Sequence, residues 1–253
     1  MARRPSGDRA GDRRGAITSV SALSPRRLAV RLLGVAALLV VLWHGWVAVC
    51  LVWWSYRAPG ETAFMDLRLD EMREDDRAPA IDYRWVDYTQ ISPNLKRALV
   101  AAEDAKFLNH NGFDWDGMET ALQKNLRRGR VVAGGSTISQ QLAKNLFLSD
   151  ERSIVRKAEE AVITVMLEAI LPKRRILELY CNVIEWGDGV FGAEAAARHY
   201  FKVSARSLSP SQAARLAAMV PNPRLYDRVR NTPGLEKRTG IILARLPQAV
   251  IPK

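Results

Sequence analysis

Hydrophobic positions divide this chain into two regimes. From Leu32 to Trp54 the pattern is unbroken: 23 residues, LLGVAALLVVLWHGWVAVCLVWW, without an Asp, Glu, Lys or Arg. As a helix this run spans roughly 35 Å, enough to cross a hydrocarbon layer of about 30 Å. From about Tyr83 onward, apolar residues recur instead at helical spacing. Ser92-Pro93 reads as an N-cap and first-turn proline ahead of Leu95, Ala98, Leu99 and Ala102. Asp116 is placed to cap a helix carrying Met118, Ala121, Leu122 and Leu126. The Gly134-Gly135 turn predicts a helix start, with Ile138, Leu142 and Leu146 on one face. Ser153 opens a long helix through Ala158, Val162, Val165, Met166 and Ala169, which Pro172 ends. Further helices are expected through Ile176–Tyr180, across Glu194–Tyr200, and from Ser209-Pro210 to just before Pro221-Asn222-Pro223. No strand pair and no internal repeat is expected. The fold class is mainly α.

Charge sharpens this division. Residues 1–57 hold nine Arg against two Asp, whereas the other 196 residues hold 29 Lys or Arg against 25 Asp or Glu. The net charge of +11 is therefore mainly a property of the tail. With no nucleic-acid signature beside it, the excess gives no reason to expect a nucleic-acid partner. Four regions follow: a disordered basic tail over 1–27, a transmembrane helix over 28–56, a charged connector over 57–80, and a helical domain over 81–253. Eight Arg precede Leu32, and Trp53, Trp54 and Tyr56 cluster at the far end. The positive-inside rule then puts the N-terminus in the cytoplasm and the domain outside. A cleaved signal peptide is the rival, but its apolar region would be shorter and end on small residues. His44 is expected to be neutral within the run. Cys50 and Cys181 fall in different regions and are not expected to pair.

Candidate chemistry is concentrated in two segments. The first runs Glu103-Asp104-Ala105-Lys106-Phe107-Leu108-Asn109-His110-Asn111-Gly112. After 21 intervening residues comes Gly134-Gly135-Ser136-Thr137-Ile138-Ser139-Gln140-Gln141-Leu142-Ala143-Lys144-Asn145. Glu103 ends an apolar helix, where partial desolvation raises a carboxyl pKa and suits a general base. Its bland alternative is an exposed Glu at a helix end, or one paired with Lys106 or Lys96. Ser136 and Thr137 are N-cap types, but a helix N-terminus followed by Gln140, Gln141, Lys144 and Asn145 is also an anion site. The glycine turn would let backbone approach a ligand. Arg156, Lys157 and Glu160 form i,i+4 and i,i+3 pairs, either a solvated face or two cations turned to a phosphate beside a second carboxylate. His110 is expected to be a structural hydrogen-bonder, and Asn182 and Glu185 are candidate contacts. No metal-ligand spacing is present.

The segments EDAKFLNHNG, GGSTISQQLAKN, RKAEE, ILELYCNVIEWGDGVFGAEAAARHYFK and LSPSQAARLAAMVPNP closely resemble, in order, those of the peptidoglycan glycosyltransferases, the lysozyme-like glycosyltransferase family 51. They cover roughly residues 80–225. Departures are small: Ser139 where Thr is commoner, Cys181 where an aliphatic residue is usual, and Gln212 where Glu is frequent. With no Ser-x-x-Lys or Lys-Thr-Gly element, the expectation is the monofunctional biosynthetic form, without transpeptidase activity. The resemblance implies a lysozyme-like helical domain behind one membrane anchor. It implies lipid II and the lipid-linked nascent glycan as substrates, and a place in the bacterial inner membrane with the domain periplasmic. It implies Glu103 as general base and Glu160 as second catalytic carboxylate. Asp104, Phe107, His110, Ser136, Thr137, Gln140, Gln141, Lys144, Asn145, Arg156, Lys157 and Asn182 would be substrate-binding residues. No organic cofactor is implied. A divalent cation, Mg2+ or Mn2+, is compatible with the diphosphate, and cell-division or other cell-wall synthesis proteins are compatible partners. Two other readings remain: a glycan-cleaving lysozyme-like enzyme, which would not need the cations, and a scaffold, which would need neither cations nor Glu103.

Overall fold

A computed structural model describes residues 25–130, 134–151 and 153–253. The expected basic tail lies, over residues 1–24, outside the described residues. The apolar run forms helix α1 (Pro25–Trp54), long and apolar enough to cross a membrane. The chain divides between Trp43 and His44. On the N-terminal side every described residue is exposed. A helix apolar on all sides, with its side chains exposed, is suited to lipid.

The other part, from His44 onward, includes the last turns of α1. Val47 and Leu51 there are fully buried, and Trp46 and Trp54 flank Phe147 at ring-centroid distances of 5.9 and 5.2 Å. Arg175 donates to the carbonyl of Trp54 at 2.7 Å, satisfying one of the helix's terminal acceptors. His44 lies 3.3 Å from the Glu159 carboxylate.

Residues 57–80, expected as a charged connector, contain a folded helix, α2 (Ala63–Glu74), capped by Thr62. Its Phe64, Met65, Arg68 and Met72 are buried. After it come β1 (Asp82–Tyr83), α3 (Pro93–Glu103), α4 (Trp115–Arg128), α5 (Ile138–Phe147), α6 (Ile154–Ile170) and α7 (Lys173–Val183). Then follow β2 (Glu185–Gly187), β3 (Val190–Phe191), α8 (Ala193–Phe201), α9 (Pro210–Met219), α10 (Pro223–Arg228) and α11 (Pro233–Arg245). Helix α5 packs against α2, α6 and α7, while α9 packs between α3 and α11. Phe107, Tyr180 and Trp186, all fully buried, are among the largest side chains of the core between them.

The cap chemistry explains most boundaries. Ser92 accepts from the amide of Asn94, Ser153 from that of Arg156, and Ser209 forms a reciprocal box with Gln212. Gln212 thus keeps the box that a Glu would make. The cap of α4 is Asp114, not Asp116: Asp114 accepts from Gly117 N at 3.0 Å, and Asp116 lies in the first turn. The strand expectation also needs correction. A small sheet of order β1-β3-β2 exists, with β1 parallel and β2 antiparallel to β3. Its strands are two or three residues long, too short to show alternation.

Candidate active site

Glu103 is the last residue of α3, and its side chain is 11% exposed. One carboxylate oxygen accepts from Gln141 Nε2 at 2.9 Å and the other from Arg238 Nη2 at 2.9 Å. Gln141 in turn accepts from the buried Tyr180 hydroxyl at 2.8 Å, which fixes its amide. Neither Lys106 nor Lys96 pairs with Glu103. Lys106 bridges to Asp116, and Lys96 donates to the Tyr88 carbonyl. Burial pushes the Glu103 carboxyl above its ordinary value, and Gln141 and Arg238 pull against that shift.

The two diagnostic segments are tied together through Asp104. This buried carboxylate accepts from His110 Nε2 at 2.9 Å and from the amide of Ile138, at the start of α5, at 3.1 Å. Gly112 N donates to His110 Nδ1, so the imidazole is used on both sides, as a structural group. Gly112 sits at φ +93, and a Cβ there would lie 2.7 Å from Thr164 Cγ2. Its carbonyl accepts from Thr137 Oγ1 at 2.6 Å. Thr137 and Gln140 form a capping box on α5, and both are buried. Gly135 is needed for packing, since a Cβ would lie 3.2 Å from Met118 Cα of α4.

Two cavities are linked through Glu103 and Gln141. One, of about 420 Å³, is lined by Glu103, Asp104, Lys124, Ser136, Thr137 and Arg245, among others. The second, of about 470 Å³, takes in Gln141, Lys144, Asn145, Arg156, Phe64 and Arg224. Because Gln141 lines the second and bonds directly to Glu103 in the first, one hydrogen bond joins them. Lys144 has no carboxylate partner among the described residues, and burial pushes its ammonium below the ordinary lysine value. Arg156 reaches Glu160 at 2.8 Å, and Lys157 contacts the same carboxylate. Lys157 also lies 3.4 Å from Ser136 Oγ. Both oxygens of Glu160 are thereby occupied. No group of three or more His, Cys, Asp or Glu side chains among the described residues forms a metal cage.

Five expected substrate residues, Phe107, His110, Gln140, Lys157 and Asn182, line neither cavity. Phe107 is fully buried core, with Lys173 Nζ 4.6 Å from its ring centroid. Asn182 is fully buried and bonds both backbone groups of Val86, holding the segment after β1. Gln140 is spent on the cap of α5. Sequence reading missed Arg238 and the whole of α11. The available signal was Thr232-Pro233, the same cap-proline pair that opens α3 and α9; Thr232 accepts from Leu235 N at 3.1 Å.

A family model described as "Transglycosylase" matches residues 74–247. The chain is 61% identical over 221 residues to the biosynthetic peptidoglycan transglycosylase of Laribacter hongkongensis, covering 87% of this chain and 97% of that protein. It is 55% identical over 226 residues to the protein of the same description from Chromobacterium violaceum, covering 89% and 99%. For that of Dechloromonas aromatica the identity is 57% over 227 residues, covering 90% and 98%.

Proposed function

The chain belongs to the transglycosylase family, the peptidoglycan glycosyltransferases, and from that premise we propose that it polymerises lipid II into linear glycan strands. In this reading the lipid-linked growing strand is the donor and lipid II the acceptor. Glu103 takes the proton from the acceptor GlcNAc 4-hydroxyl as that oxygen attacks C1 of the donor MurNAc. The new β-glycosidic bond forms, the C1–diphosphate bond breaks, and undecaprenyl diphosphate leaves with the bonding pair. One observation carries the proposal: the desolvated Glu103 lines a cavity suited to an acceptor and is hydrogen-bonded to Gln141, which lines a second, cation-bearing cavity suited to a departing diphosphate.

Lys144 and Arg156 are the cations of the second cavity nearest this role. Glu160 orients Arg156 and Lys157 through their ion pairs, and Ser136, Gln141 and Asn145 line the path of the strand. A glycan-cleaving enzyme would have no use for a half-buried lysine, without a carboxylate partner among the described residues, in the cavity next to its acid. Helix α1 anchors the enzyme in the cytoplasmic membrane, N-terminus inside, so that enzyme and lipid-linked substrates share one plane. No transpeptidase role is proposed, since the chain has no Ser-x-x-Lys element. The direct test incubates the detergent-solubilised protein with labelled lipid II. Polymer is the expected product, and its absence would reject the reading.

A further inference from the structure

The family match begins at residue 74, so nearly all of α2 precedes it. Yet α2 supplies Phe64 and Arg68 to the cavity that holds Lys144 and Arg156. The Lys144 ammonium lies 4.9 Å from the centroid of the Phe64 ring, and the Arg68 guanidinium lies 4.5 Å from the same centroid. Arg68 is itself fixed. Its Nε meets Glu185 of β2 at 3.1 Å and its Nη1 meets Glu71 at 2.6 Å. Glu71 continues to Arg224 of α10 at 2.9 Å, and Arg224 lines the same cavity. An alternating chain of charges thus spans β2, α2 and α10 around the half-buried Lys144.

We propose that α2 is a working wall of the polymerising site, with Phe64 and Arg68 positioning the Lys144 ammonium toward the diphosphate of the lipid-linked donor. This rests on the lipid II reading above. The physical reason lies in the choice of partner. A carboxylate would hold an ammonium more firmly, but it would cancel the charge and repel a diphosphate. An aromatic face orients the cation while leaving its charge available. Arg68 needs carboxylates to be tolerated in a buried place, and Glu185 and Glu71 provide them without touching Lys144. The helix next to the anchor is therefore part of the chemistry as well as the tether.

The test uses the full-length protein and initial rates of lipid II polymerisation. Phe64→Leu keeps apolar bulk and removes the ring; Phe64→Met serves the same purpose should the Leu variant fail to fold. Phe64→Leu should lower kcat by about twofold to thirtyfold with the melting temperature little changed. Phe64→Tyr should restore the rate. In a Lys144→Ala background, Phe64→Leu should have no further effect, because the group it positions is gone. Equal losses in both backgrounds would reduce Phe64 to packing and overturn the inference. So would a parent-like rate for Phe64→Leu. A parent protein that makes no polymer would instead remove the lipid II reading underneath.

Discussion

Arg238 of α11 donates to the Glu103 carboxylate at 2.9 Å across 135 residues of sequence. The contact opposes the main influence on that carboxyl. Burial raises its pKa, whereas the arginine and Gln141 lower it. A general base works only when ionised, so activity should fall as pH drops through the raised pKa. Removing Arg238 lets that pKa climb further. Arg238→Gln should therefore shift the acid limb of the kcat/KM profile to higher pH, while Arg238→Lys should stay nearer the parent. A purely structural arginine would lower activity at every pH without moving the limb, and that outcome would reject the positioning role.

Glu103→Gln keeps the shape of the side chain and its place beside Gln141 but removes the base. Polymerisation should drop by about 10²–10⁴-fold. Stability should not suffer. A carboxyl whose pKa is raised by folding contributes stability below its ordinary pKa and loses it as pH rises, so at neutral pH the charge is a net cost. The expected melting temperature at neutral pH equals or exceeds the parent's. A variant that polymerises lipid II at the parent rate would remove Glu103 from the mechanism.

What the sequence made legible were features set by neighbours in the chain. Ser92, Ser153 and Ser209 announce helices because capping is decided within three residues. Glu103 announced its desolvation because Ala98, Leu99 and Ala102 share its helix. The partners of Glu103 were not legible. Arg238 is brought to it by the packing of α11 and α9 against α3, and nothing local to Arg238 marks it. Phe107 and Asn182 erred the other way. They belong to diagnostic segments, but their task is to hold those segments in place, one as core and one through Val86. The α2 helix was obscured by its own charges. Arg68 reads as a solvated connector residue until Glu185, 117 positions away, is seen against it.

The anchor gives a topological prediction. Eight Arg precede the apolar run, and α1 continues without a break to Trp54. Protease added to intact spheroplasts should degrade the part of the chain beyond residue 60, and immunoblotting with an antibody to that part should show its loss. Protection of that part until the membrane is permeabilised would reverse the orientation.

The cations give the sharpest separation between a functional and a surface role. If Arg156 and Lys157 formed only a solvated ion-pair face with Glu160, Arg156→Ala would cost about 0.3–0.5 kcal/mol of stability and nothing in rate. A cation that stabilises a leaving diphosphate is worth more, on the order of 2–4 kcal/mol in the barrier by analogy with an oxyanion donor, or roughly thirtyfold to a thousandfold in rate. The geometry ranks the three. Lys144 lines the cation-bearing cavity without a carboxylate partner among the described residues, and Arg156 lines it with its side chain 16% exposed. Lys157 is 45% exposed and turns toward Ser136. Lys144→Ala and Arg156→Ala should therefore fall within that range, and Lys157→Ala at or below its lower end. Melting temperatures should change little, since Glu160 keeps one cation in either single variant of its pair. Initial polymerisation rates within twofold of the parent for all three would leave only the surface reading of these cations.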